Sequence, residues 1–452
     1  MNRFIIFSFL IFYFAVGGTL LARDVPSRRI EDDSRLRISL VNSWFREAPE
    51  TVINKNPEIH TLRGGGRVQV RVETSPQNRE EFAIVLARER YGGFTGWTQG
   101  SWALIRRMDN DPQGSRIRVF LRSDFNTFVQ FRPFNEERSF MDVLIYDAFV
   151  MRSHPIPVPF ERLMVLPVEN VLAFAGERFP RRYFDPEPGM YRDLRRFVAA
   201  VRARLPELSF ADDGAIDEHG NFVFINDLSP QPEHRRGLNC SGFAKWVVDG
   251  ILRPHTGQRL SIDPLKAPFG ERGTPFTDAW EELRDPFFGL DWCRNLASRA
   301  GTVLRSPTFG RLEEIEVRHS PFSQVIVRQG GRSTIQAYPG FITNAGFGIE
   351  GIIPLLYTLA IDEPGHIYLA AVNDEWGAER FVGFDPHNLR GLPRMRQYFH
   401  VAVLVPFFTE QGVFQIAVFE SAAETSILAF RNRYPGQFVN LSRIPIDGLF
   451  DP

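Results

Sequence analysis

Cys240 lies in Gly237-Leu238-Asn239-Cys240-Ser241-Gly242-Phe243, at the first turn of a helical pattern. A thiol there meets unpaired backbone N–H groups and the positive end of the helix dipole, so its ionised, nucleophilic form is favoured. The chemistry this predicts is attack on a carbonyl carbon, and Cys240 is the candidate nucleophile. The helix rests on Ala244, Val247, Val248 and Ile251 at helical spacing, with Asn239 as N-cap and Gly250 and Pro254 closing the pattern. Two other fates stay open for the thiol: a buried structural cysteine, or a disulfide to Cys293, the one other cysteine.

A nucleophilic thiol needs a base, and the base needs an orienting partner. Of nine histidines, His366 begins the apolar run His366–Asn373, which reads as a strand whose first residue sits at a sheet edge facing a cleft. Residues 380–387 read as a second strand, joined to the first by the polar turn 374–378. Antiparallel pairing brings His366 opposite a position between Asp385 and His387. Pro386 cannot orient an imidazole, so parity leaves Asp385 or His387 beside it, about 5 Å away across the strands. Asp385 is preferred, because a carboxylate fixes the tautomer and stabilises the imidazolium. His387 is the alternative, Asn373 and Asn388 are weaker ones, and His400 is the next histidine in line as base.

Asn239-Cys240-Ser241-Gly242-Phe243 followed by a mostly apolar helix resembles the Asp-Cys-Ser-Gly-Leu/Phe box of NlpC/P60 cysteine peptidases, a branch of the papain-like superfamily. His366-Ile367-Tyr368-Leu369-Ala370 is similar to the strand that carries the base in that family. A strand Asp followed by Pro, as at Asp385, resembles the transglutaminase-like relatives, and a second histidine such as His387 is common in NlpC/P60 enzymes. The resemblance implies a nucleophile helix facing an antiparallel sheet, and a Cys240–His366–Asp385 triad with no metal and no organic cofactor. It also implies the peptide stem of peptidoglycan as substrate. The backbone N–H of Cys240 or Ser241 is the natural oxyanion donor, and Asn239 stands where the family has an acidic substrate-side residue. Three further readings remain: a transglutaminase-like or acyltransferase enzyme with another acceptor, a non-catalytic envelope protein with a Cys240–Cys293 disulfide, and a metal site built from His366, Asp385 and His387.

Around these residues the chain divides as follows. Residues 1–22 read as a secretory signal peptide, a charged start, an apolar run and small residues before Arg23, and if kept they would tether the chain to a membrane. Export to the periplasm, cell envelope or medium is therefore expected. Residues 23–155 carry short strands divided by polar turns, which predicts an immunoglobulin-like all-β sandwich without its disulfide. Trp97, Trp102 and Tyr91 in it suggest a sugar-stacking platform, with core packing as the commoner fate. A proline-dense joint follows at 154–160, and residues 156–452 form the papain-like hydrolase domain with a helical insertion at about 253–318. In that domain 191–208 reads as an amphipathic helix, and 353–360, 397–405 and 412–419 read as sheet strands, making the chain α+β overall. A net charge of −1 argues against a nucleic-acid partner. With only Lys55, Lys245 and Lys266 as lysines, the basic residues are almost all arginine throughout, which points to genome composition rather than to one anion-binding patch.

Overall fold

The computed structural model describes residues 24–30, 32–75, 78–270, 285–329, 332–343, 345–374 and 397–452, which form two compact units. Helices combine with large antiparallel sheets, as in an α+β fold. The expected signal peptide, and Asp385, His387 and Asn388 with the strand 380–387, lie outside the described residues.

The first unit comprises the chain up to Pro186 with Pro321–Tyr338 and Glu410–Val413. Its boundary falls some thirty residues beyond the proline-dense joint, because the helical segments Phe160–Leu163 and Val168–Ala173 bury Phe160, Leu163, Val168, Val171 and Leu172 in the core of the preceding strands. Those strands do not make two sheets. Eight of them, from Glu58–Thr61 to Ala148–Ile156, pair each with the next in one antiparallel meander, which Gln324–Gln329 and Arg332–Ala337 extend. The sandwich expectation is corrected on this point, since short strands with polar turns at regular intervals suit a meander equally well. Strand Asn78–Arg90 shows how the faces differ. Phe82, Ile84 and Leu86 enter the main core, whereas Ala83, Val85 and Ala87 meet Ala103 and Ile105 on the other face. The three aromatics of the expected platform are parted. Trp102 is in the main core under the Arg37 guanidinium, Tyr91 is exposed, and Trp97 packs against a separate aromatic cluster.

In the second unit we label α1 (Cys240–Thr256), α2 (Phe288–Leu304), α3 (Ile352–Asp362), β1 (His366–Asp374), β2 (Gln397–Phe408), β3 (Phe414–Glu420) and β4 (Phe438–Pro445). The sheet runs Phe347–Gly348, β4, β1, β2, β3, Ala423–Thr425, with every pair antiparallel. Ile367 to Val372 of β1 are all buried, so this central strand reads as a continuous apolar run rather than an alternation. The same ambiguity explains a correction. Residues 353–360, expected as a strand, are helix α3, whose side chains from Ile352 to Ala360 are all buried and therefore carry no amphipathic period. The helix expected over 191–208 is present as Arg192–Arg204, burying Leu194, Phe197, Val198 and Val201.

Helix α1 outlasts its expected stop signals. Pro254 sits inside its last turn, and the Gly250 carbonyl that a residue-254 N–H would have used accepts instead from the Asp451 N–H at 2.7 Å. The Phe450 ring packs so closely on Gly250 that a Cβ there would meet it at 2.4 Å. Gly257, left-handed at φ 70°, then caps the helix.

Candidate active site

The start of α1 is fixed from both sides. Asn239 accepts from the Gly242 N–H through its side-chain oxygen at 2.8 Å, and its own N–H donates to the Gly214 carbonyl at 3.0 Å. Gly242 has to be glycine, since a Cβ would lie 2.0 Å from that same Gly214 oxygen. The first two N–H groups of the helix, those of Cys240 and Ser241, fall outside its hydrogen-bond ladder. Ser241 places its hydroxyl 4.0 Å from the Cys240 sulfur, and its carbonyl accepts from the Trp292 indole of α2 at 2.9 Å. The Asn239 side chain, expected on the substrate side, is used as the cap.

The imidazole that meets the Cys240 thiol is that of His400, on β2. Its Nε2 donates to Glu420 Oε2 on β3 at 2.6 Å, which leaves Nδ1 to face the sulfur. Glu420 in turn accepts from Arg433 at 2.6 Å through its other oxygen, and Phe399 and Tyr434 flank the imidazole with ring centroids at 6.2 and 5.8 Å. Cys240, His400, Glu420 and Arg433 thus form one hydrogen-bonded chain.

Electrostatics follow from these contacts. Burial raises the Cys240 thiol, yet the hydrogen bond and charge of His400, with help from the Val401 N–H and Ser241, leave it below its ordinary value. Burial lowers His400, but bonds to Cys240 and Glu420 outweigh it and hold the imidazole up at about 9. Burial raises Glu420, while His400 and Arg433 bring it below the ordinary carboxylate value. Between those limits the favoured state is a thiolate beside an imidazolium. Cys293 is the contrast. Fully buried on α2, its thiol is pushed up by burial and by the Cys240 charge. Both cysteines are free, so the expected alternative of a Cys240–Cys293 disulfide is not found.

His366, expected as the base, is not beside the thiol. It does begin strand β1, but it pairs with Pro445 at one end, whereas Val372 at the other end pairs with His400. Six residues of strand separate the two ends, roughly 20 Å at about 3.3 Å per residue. The His366 Nδ1–H instead donates to the Glu363 carbonyl at 3.1 Å. The proposed partners Asp385 and His387 lie outside the described residues, and the weaker candidate Asn373 is buried at the β1 bulge facing Tyr398. Among the described residues no cluster of three His, Cys, Asp or Glu could hold a metal ion.

The structure thus brings Cys240 together with His400, second in line among the histidines of the sequence, and with Glu420 and Arg433, which the sequence does not single out. One signal was available. With Val403 opposite Phe419, residues 400, 402 and 420 share a face, so Glu420 is the diagonal neighbour of His400.

Among known proteins, residues 26–183 match a family described as Domain of unknown function (DUF8515). The match ends just before Pro186, where the first segment of the first unit ends, and does not include the Cys240 site. No curated protein and no solved structure matches the chain.

Proposed function

We propose that this chain is an exported cysteine hydrolase of papain-like, NlpC/P60-related type, with Cys240 as nucleophile, His400 as base and acid, and Glu420 as orienter. The observation that carries the reading is the Cys240 thiol in hydrogen-bond contact with an imidazole that is itself held by a buried carboxylate. In this reading the thiolate attacks an amide carbonyl, and the developing oxyanion takes the N–H groups of Cys240 and Ser241. Collapse breaks the C–N bond, and the departing amine takes the proton from the His400 imidazolium. Water then adds to the thioester, giving its proton to His400, and the acid leaves with Cys240 restored. The substrate class is the stem peptide of peptidoglycan, in keeping with the box around Cys240 and the export signal read at 1–22. Among the described residues no helix is long and apolar enough to cross a membrane.

The test is hydrolysis of purified peptidoglycan and of its soluble stem peptides, followed by mass spectrometry of the products. The full chain should release new amine and carboxyl ends, and Cys240→Ala should release none. Equal release by both proteins rules the reading out.

A further inference from the structure

The first unit has a cavity of about 280 Å³ on the face of the meander turned away from its main core. Its floor is made of small or short side chains, Ala83, Val85, Ala103 and Ile105, and its walls are the rings of Phe94, Trp97, Phe120 and Phe125. The floor follows from the sequence. Strand Asn78–Arg90 alternates large residues toward the core with Ala83, Val85 and Ala87 on the opposite face, so that face is hollow where the rings stand around it.

The polar lining is built as well. The Arg71 guanidinium is held by Glu73 Oε1 at 3.0 Å from Nε, by Gln69 Oε1 at 2.8 Å and by the Phe94 carbonyl at 2.9 Å. Arg118, on the same cavity, stacks over the Phe128 ring at 4.5 Å and donates to Gln130 at 3.1 Å. The Trp97 indole N–H is closed off from solvent and has no acceptor among the described residues. The cavity therefore joins aromatic faces to donors and an acceptor in fixed positions.

We propose that this cavity binds a saccharide, taking one or two pyranose units. A sugar ring presents C–H faces that pack on aromatic rings, and equatorial hydroxyls that both donate and accept, as a guanidinium–carboxylate pair requires. An oily ligand would strip water from the Arg71 and Glu73 edges that line the cavity without replacing it, at a desolvation cost. The volume lies just below the ~300 Å³ where drug-sized sites begin, which suits a short glycan end rather than a long chain.

This inference is independent of the Cys240 chemistry, and its test can be kept so. The full chain is titrated by calorimetry and tryptophan fluorescence with N-acetylglucosamine trimer, cellotriose and galactotriose, and with benzyl alcohol as an apolar probe. At least one saccharide should bind with a Kd below about 10 mM, and Trp97→Ala should weaken it on the order of tenfold or more. Glu73→Gln, which keeps the shape, should weaken it severalfold. Both variants should stay folded by circular dichroism and keep the parent's rate of Cys240 alkylation. The proposal is overturned if only benzyl alcohol binds, if nothing in the panel binds, or if Trp97→Ala and the cavity-filling Ala103→Leu both bind the saccharide as the parent does.

Discussion

Two histidines stand on neighbouring strands of one antiparallel sheet, both half-buried, and their surroundings move them in opposite directions. His366 at the start of β1 is lowered by burial first; the hydrogen bond to the Glu363 carbonyl pulls it back in part, and the positive charges of Arg443 and Arg305 add to the lowering. His400 on β2 suffers the same burial but is raised to about 9 by Cys240 and Glu420. Burial alone thus does not decide what an imidazole can do. What decides it is the charge its two nitrogens meet, a carbonyl and cations in one case, a thiolate and a carboxylate in the other.

Removing each ring in turn separates the two histidines. His400→Ala should lower turnover of the peptide substrate by roughly a thousandfold or more, because both proton transfers lose their carrier. His366→Ala should leave turnover within about threefold of the parent, as expected for a residue roughly 20 Å along the strand from the His400 end. Stopped assays on both variants, normalised to folded protein by circular dichroism, check this. Equal losses would place His366 back in the mechanism.

A smaller effect sharpens the His400 side. Glu420→Gln keeps an oxygen to accept from Nε2 but removes the charge that helps hold the imidazole protonated. Turnover should fall on the order of 10- to 100-fold with little change in KM, less than for His400→Ala because the ring and sulfur remain paired. The parent's activity should decline as pH rises through about 9, where the imidazolium is lost. In the variant that alkaline limb should move to lower pH. A pH profile with an unmoved limb would show that Glu420 is merely packed beside the ring.

How much of this was legible in the sequence differs by element. Cys240 was, because the N-cap, the glycines and the apolar helix all sit within a dozen residues and act locally. The strands of both sheets were largely visible, but their assembly was not. A meander and a sandwich use the same strand lengths and turns, and α3 is apolar on every side. His366 stands out over His400 in the sequence because it begins an apolar strand, the feature on which the family resemblance rests. His400 instead lies four residues into a strand whose start packs against Pro286 and α2, contacts more than a hundred residues away in sequence. Strand parity is the signal that links residues across a sheet. Applied to 397–405 and 412–419, with the strand extended by one residue to Glu420, it would have joined the pair that the structure brings together.

The smallest effect tests the other side of the comparison through stability. In the folded chain His366 is lowered below its ordinary value, so on acidification the unfolded chain takes up that proton first. Stability is then lost as pH falls through and below about 6.5, and His366 adds no such slope above it. His400 behaves differently. Its raised value by itself would give stability below 6.5 that is lost as pH rises through about 9, but Cys240 is lowered at the same time. Over much of that interval the proton has only moved from sulfur to ring, and the pair contributes little slope. His366→Asn, whose amide can still donate to the Glu363 carbonyl, should therefore flatten the acid side of the unfolding curve. Near pH 5 it should raise Tm relative to the parent by on the order of one or two degrees, with no gain at pH 8. Scanning calorimetry at the two pH values decides it. A gain of the same size at both would trace the effect to packing and not to the proton.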